Sequence, residues 1–350
     1  MSVQDATATP ERTTTRAPEG KRLVDQLLRV RELSLVGVLG VIVLATSLYN
    51  GRFVNSQNLR DISLNVAIVA LLAVGQTVVV VSRNIDLSVG SVLGFTAFAV
   101  GLLFSDHPGF PIPVAIVIGV LIGITFGVLN GALVSLGRVP SLVVTLGTLY
   151  IIRGADFAWA SGKQVTASQL PDGFLSIGSN SVLGIPILPL ITLAVVVIVG
   201  FAMRSYRSGR QLYAIGSNPD AAVLAGVPVA RRVFGAFVVS GALAGLAGVI
   251  YCARFGTVDA TAGTGQELAV VAAVVVGGVA IFGGSGSVYG AALGALLLSV
   301  IGSALVILKI DPFWEGAIDG ALLLGAIALD RFLLLRVASA LRKRSGRRAR

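Results

Sequence analysis

The sequence is poor in the residue types that carry out chemistry. It has one cysteine, Cys252, and one histidine, His107. A single cysteine excludes an internal disulfide, and a lone thiol in an apolar stretch behaves as a small core residue. His107 sits in "SDHPGFPIP", a turn-rich connection, and reads as incidental there. No His/Cys/Asp/Glu cluster has metal-ligand spacing, so no metal site is expected. The phosphate-cradling pattern G-x-x-x-x-G-K-[ST] is missing as well: "SGK" at 161–163 has Phe157 where the pattern needs glycine. The chain is therefore expected not to hydrolyse ATP itself. It offers no nucleophile–base constellation either, so neither an enzyme nor a resident cofactor is expected. Charge is scarce too, at 13%, where a soluble domain carries about 25%.

What fills the sequence instead is apolar. Hydrophobic residues make up 55% of the chain and the mean hydropathy is +0.89. A hydrocarbon crossing needs roughly 20 mostly apolar residues. Ten stretches meet that need, over about 33–50, 61–81, 87–104, 113–136, 141–159, 184–203, 231–252, 266–283, 288–308 and 313–335. The expected fold class is an all-α polytopic membrane protein; a β-barrel would show short alternating segments. The division is a disordered tail over 1–32, a membrane domain over 33–337 and a basic tail over 338–350.

Lys and Arg set the orientation. Basic residues cluster in the amino-terminal tail (Lys21, Arg22, Arg29, Arg31) and in the 204–232 loop (Arg204, Arg207, Arg210, Arg231, Arg232). Eight more lie between Arg331 and Arg350 with no acid among them. Ten spans put all three regions on one side, the cytoplasmic one, with both termini inside the plasma (inner) membrane. Attraction to anionic membrane lipid explains the basic tail better than nucleic acid does.

Glycine is abundant, with 43 residues. Many recur at four-residue steps: Gly90/Gly94, Gly123/Gly127/Gly131, Gly241/Gly245, Gly286/Gly290/Gly294 and Gly316/Gly320. Such spacing lets helix backbones approach closely in lipid, and packing within one bundle is the expected use for most of them. There is also an internal echo. Residues 71–94 align on 267–290 without gaps, with eleven of twenty-four positions identical. Repeated segments with interrupted helices are a common way to build a transport site.

The first copy of the echo contains "SRNIDLSVGS" at 82–91, a polar interruption between two of the most apolar stretches. A carboxylate at the bilayer centre costs about 2.5–3.5 kcal/mol. Asp86 is thus either a helix cap in a turn at the membrane surface or a group facing a polar interior, and physics alone leaves both open. Here motifs add something. "NIDLSVGS", "GALVSLGRVPSLVVTLGTLYIIRG" (131–154), "QLYAIGSNPDAAVLAGVPVARRVFGAFVVSGALAGLAGVIY" (211–251) and "GGVAIFGGSGSVYGAALGALLL" (277–298) occur in order. They resemble the hallmark segments of the membrane permeases of bacterial ABC sugar importers, the ribose, xylose, arabinose and galactose type. Two departures are visible: "VAIFGG" replaces a Thr/Ser-containing run, and Asn84 stands where the family usually has glycine.

The resemblance implies the ABC importer permease fold with interrupted helices. It implies a permease homodimer, two cytoplasmic ATP-binding cassette ATPase subunits and an extracytoplasmic sugar-binding protein as partners. It also implies that the "IDLSVGS" region lines the path. Polar residues in apolar surroundings then form a candidate lining: Asn65, Gln76, Asn84, Asp86, Ser88, Ser91, Asn130, Thr145 and Thr148. Neutral donors and acceptors suit a sugar. Arg153 and Asp156, three apart on one helix, read as a structural or gating pair near the outer end.

Residues 217–228, "SNPDAAVLAGVP", hold every signal of a short helix. Asn218 suits the cap, Pro219 the first turn and Asp220 the positive end. Gly226 and Pro228 stop it. About seven residues cannot hold a helix alone in water, so something must dock it. Packing on the protein's own inner face is one reading. The resemblance implies the other, an ATPase-coupling element of Gly216, Asn218, Pro219, Asp220, Ala221, Ala222 and Gly226. Alternatives for the whole chain are the same design carrying branched-chain amino acids or another small solute, or an ion-coupled secondary transporter. The latter needs ionisable residues deep in the spans, and only Asp86, Arg153/Asp156 and Asp319 qualify.

Overall fold

The computed structural model describes residues 19–311 and 313–328. Its helices are α1 (Glu19–Tyr49), α2 (Ser56–Val80), α3 (Val89–Asp106), α4 (Ile112–Ser135), α5 (Ser141–Ala160), α6 (Asp172–Ser179) and α7 (Ile187–Ser205). They continue with α8 (Arg207–Ser217), α9 (Pro219–Leu224), α10 (Val229–Phe255), α11 (Gln266–Val276) and α12 (Val288–Ile307), and α13 covers 313–328. A hairpin of β1 (Ser181–Val182) and β2 (Ile185–Pro186) precedes α7. Its two-residue turn, Leu183 and Gly184, takes positive φ at both positions, as tight hairpins require.

Each of the ten expected spans has a helix at its place. Seven, α2, α3, α4, α5, α7, α10 and α12, are long and apolar enough to cross a membrane. Two expectations are corrected. The tail over 1–32 is helical from Glu19, because "EGKRLVDQLLRVRE" after Pro18 has no proline and mostly helix-forming residues. Residues 1–18, and the basic tail over 338–350, lie outside the described residues. The span expected over 266–283 stops at Val276. Gly278, Gly283, Gly284 and Gly286 all hold positive φ just beyond it, a backbone path no helix follows. Eleven residues rise only about 16 Å, half of a hydrocarbon core of about 30 Å.

The short α11 is reached by a connection that folds into the bundle. A Cβ on Gly94 would strike the Ala262 carbonyl, and one on Gly90 would lie 2.7 Å from the Gly263 carbonyl. The 256–265 segment is thus pressed against the amino half of α3. Its outer end is tied down by paired backbone bonds between Val165 and Val258 (2.9 and 3.0 Å).

The centre of the molecule is the α4–α10 pair. The buried positions of α4 are Ala115, Gly119, Gly123, Gly127, Asn130, Gly131 and Val134, a single face at four-residue spacing. A Cβ on Gly127 would meet the Phe237 carbonyl at 2.5 Å, and one on Gly245 the Gly119 carbonyl at 2.5 Å. Backbone lies directly on backbone here, as small residues permit in lipid. Gly90/Gly94 and Gly290/Gly294 are filled in the same way by the chain itself. Gly316 and Gly320 are different: nothing within 4 Å would meet a Cβ on either.

The echo in the sequence has a counterpart in space. Both copies fold as helix, polar break and helix: α2, 81–88 and α3, then α11, 277–287 and α12. The two breaks touch, with the Gly284 amide donating to the Val81 carbonyl (2.9 Å).

Candidate functional site

Asp86 lies in the first break, 2% exposed. One carboxylate oxygen accepts from the Ser88 amide (3.0 Å) and hydroxyl (2.6 Å). The other accepts from the Ser240 hydroxyl of α10 (2.9 Å). Ser240 is eleven residues past Val229, which puts the carboxylate about 16 Å along α10 from the end that carries Arg231 and Arg232. Asp86 is therefore buried between helices and not in an exposed turn.

A polar network surrounds it. Asn130 of α4 donates its amide to the Ser88 hydroxyl (2.8 Å), and Ser91 donates to the Ser88 carbonyl (2.8 Å). The Ile85 amide reaches the Ser141 hydroxyl (3.2 Å), and Thr145 returns a bond to the Ile85 carbonyl (3.2 Å). Thr148 donates to the Thr145 carbonyl (3.3 Å). Asn84 folds back on Ser82 (2.9 Å). Seven of the nine candidate lining residues thus form one knot joining α2, α3, α4, α5 and α10. All but Asn84 are buried inside the chain rather than arranged along its surface.

Two candidates stand apart. Gln76, one turn before the end of α2, is fully buried with neither amide atom hydrogen-bonded. Asn65 is exposed at the other end of α2 and accepts from Arg254 (2.6 Å). It lines a cleft of about 450 Å³ that also takes in Asn58, Asp61, Gln266, Ser299, Ser303, Glu315 and Asp319. Ser303 closes on Asn58 with a 2.8 Å bond. From Asn58 to Val69 the cleft follows α2 for eleven residues, about 16 Å of depth. Its carboxylates and amides alternate with the apolar side chains of Ile62, Val69, Leu298 and Val306. Among the described residues no group of His, Cys, Asp and Glu is arranged to hold a metal ion.

Arg153 and Asp156 lie close enough for their charges to interact, but no hydrogen bond joins them. Arg153 donates to the Ala260 (3.1 Å) and Ala262 (2.5 Å) carbonyls, pinning the inward-folded 256–265 segment. Asp156 is fully buried with neither oxygen hydrogen-bonded. A charge beside free carbonyls stabilises the loop better than a pair within one helix, because the loop leaves those carbonyls unpartnered.

The short element over 217–228 is built as its sequence says. Asn218 accepts from the Ala221 amide (3.1 Å), Pro219 opens the helix and Asp220 sits in its first turn. Gly226 takes φ 74°, and its amide closes on the Val223 carbonyl (2.9 Å). Ala222 is buried against the bundle, Ala221 is exposed, Val223 is 59% exposed and Leu224 is 89% exposed. Beside α9 lies an apolar groove of about 520 Å³ lined by Leu136, Pro228, Val229, Ala230, Arg231 and Phe234. Gly216 is at a point of contact: a Cβ there would strike both the Val81 carbonyl and the Gly284 amide.

Sequence reasoning missed Ser240, Ser141 and Arg83 as site residues. Ser240 had a signal, as the one polar side chain in "FGAFVVSGALAGLAG" (234–248). Ser141 and Arg83 sit at helix ends, where polar residues are ordinary.

Comparison with known proteins gives the chain's family. Residues 58–327 match the family model described as "Branched-chain amino acid transport system / permease component". The chain is similar to the autoinducer 2 import system permease protein LsrC of Enterobacter sp. (strain 638), 37% identical over 308 residues, covering 87% of this chain and 88% of the relative. The protein of the same name from Shigella flexneri is 34% identical over 300 residues, covering 86% of each. No solved structure matches the chain.

Proposed function

The chain belongs to the branched-chain amino acid transport system permease family, and from that premise we propose how it works and what it carries. It is the membrane subunit of a binding-protein-dependent ABC importer, and its cargo is a small, neutral, hydroxyl-rich solute of monosaccharide type. Partner ATPase subunits supply the energy, since the chain has no nucleotide-binding pattern of its own. A binding protein delivers the solute on the extracytoplasmic side.

The observation that carries this reading is α9. It is six residues long, capped at both ends, and presents Val223 and Leu224 to water. Such a helix cannot persist alone, and its inner side is already occupied, with Ala222 packed on the bundle. An exposed apolar knob on a basic loop, next to an apolar groove, suits docking into another protein. That partner is the ATPase. The cleft around Asn65 supports the solute class, because its amides, hydroxyls and carboxylates offer partners to hydroxyl groups. The relatives' named cargo, autoinducer 2, is the first solute to try.

A homodimer completes the assembly. The glycines of α4 are filled by α10, but Gly147 and Gly154 on the outer face of α5 meet nothing within 4 Å. Tyr150 and Ile151 between them are exposed. A second copy is the natural cover for this face.

The test is co-purification. Leu224→Asp with Val223→Asp is expected to leave the amount of permease in the membrane unchanged. ATPase capture should fall to background, and uptake with it. Unchanged capture would overturn the assignment of α9.

A further inference from the structure

We infer that Arg83 is a positioning residue that ties the α8–α9 element to the polar break holding Asp86, so that a displacement of α9 reaches the membrane interior. The inference rests on the reading of α9 as the ATPase docking element and specifies how its movement is passed on.

Arg83 takes φ 65°, a left-handed conformation that side chains with a Cβ rarely adopt. That backbone aims the guanidinium away from α2 and toward the end of α8. Nε donates to the Gly216 carbonyl (2.5 Å) and Nη2 to the Ser217 carbonyl (3.0 Å). These are the last two carbonyls of α8, which have no partner within their own helix. They also lie at its negative end, where a cation is favoured. The next residue, Asn218, is the cap of α9. One peptide bond therefore separates the clasp from the docking helix. On its other side, Arg83 stands three residues before Asp86, with its amide donating to the Val80 carbonyl (2.9 Å).

The second break is fastened at the same point. Gly284 donates to the Val81 carbonyl, and a Cβ on Gly284 would meet Ser217 N and Cα at 2.8 Å. A Cβ on Gly283 would meet Arg83 Cγ at 2.6 Å. The Tyr213 hydroxyl of α8 donates to the Gly286 carbonyl (3.1 Å). Contacts of backbone on backbone leave no side chain to rotate and absorb a shift, so the end of α8 and both breaks move together. Among the described residues, Arg83 is the side chain that bridges α8 to the first break with two bonds. Its planar fork serves two neighbouring carbonyls at once, which a lysine ammonium does less well.

The reporter is a thiol at Leu87→Cys, a half-buried position in the break with no polar side-chain role; the native Cys252 is buried and stays silent. The complex with its ATPase is labelled with a water-soluble maleimide, nucleotide-free and trapped with ATP and vanadate. With Arg83 present, the two states are expected to differ in labelling rate by about fivefold or more. In R83A the ATPase should still co-purify and hydrolyse ATP, but the two rates should converge; R83K should fall between. R210A is the control, since Arg210 donates to Ser205 within its own loop and touches neither break.

A purely structural staple would shift both rates together and leave their ratio as in the parent. That result overturns the inference, as does a parent whose rates do not differ. If R83A does not accumulate, R83Q, which keeps one amide donor, is measured in the same way; loss of both variants from the membrane also overturns it. ATPase that fails to bind the parent refutes the reading of α9. ATPase that binds R83A while the two labelling rates at position 87 converge supports this inference.

Discussion

Asp86 accepts three hydrogen bonds from two serines, and among the described residues no cation makes a hydrogen bond to it. Donors reach both of its oxygens, so the knot depends on both remaining acceptors. Asp86→Asn keeps the shape but presents an amide to a site built of donors. It is expected to insert normally and to lower uptake at matched permease levels, with a loss of about 1–3 kcal/mol in the knot. Asp86→Ala should be worse, because Ser88 and Ser240 then lose their acceptor together. Uptake equal to the parent in Asp86→Asn would show that the charge has no part in transport. At this scale the sequence was half legible. Polar residues in apolar surroundings pick out Asp86, Ser88, Asn130 and Thr145, which the structure brings together at one break. The same signal does not distinguish Asn65 in the open cleft, or Gln76 without a hydrogen-bond partner, from the buried network, because depth and partner are decided by packing and not by composition. Ser240 went unnoticed since a single serine in a long apolar helix costs little and is common.

Single helices follow two different rules in this chain. α9 is written locally: Asn218, Pro219, Gly226 and Pro228 each act on their own turn, which is why its bounds could be read in advance. α11 is not. Its valine-rich sequence reads on as a span, yet it ends at Val276, because Gly278 takes φ 97° and the Val279 amide turns back to the Val274 carbonyl (3.1 Å). The glycine faces divide similarly. Gly127→Leu is expected to destabilise the folded chain in detergent, since overpacking costs about 1–3 kcal/mol and the Phe237 carbonyl lies where the side chain must go. Gly147→Leu has open space before it and should leave the monomer's thermal transition unchanged while reducing cross-linking between copies. Equal melting behaviour of both variants would contradict the distinction drawn between filled and unfilled glycine faces.

At the scale of the molecule, the count of ten helices came from apolar length alone, and orientation from arginines. Both termini are expected in the cytoplasm. Thiols introduced at Ser168 or Ser179, both exposed in the 161–186 connection, should label from outside the cell, and one at Ser217 only after permeabilisation. Labelling of Ser179 and Ser217 from the same side would refute this topology. What could not be read was the way the helices are joined in space, because close approach of two backbones leaves only glycines in the sequence and no hint of their partner. That same close approach has a mechanical consequence. A seam of α4 against α10 in which Gly123, Gly127, Gly241 and Gly245 press backbone on backbone has few rotamers to change, so it behaves as a fulcrum. The inward-folded 256–265 loop is held instead by the long Arg153 side chain, which has rotamers to change, and any movement of that loop is measured against a line that does not itself bend.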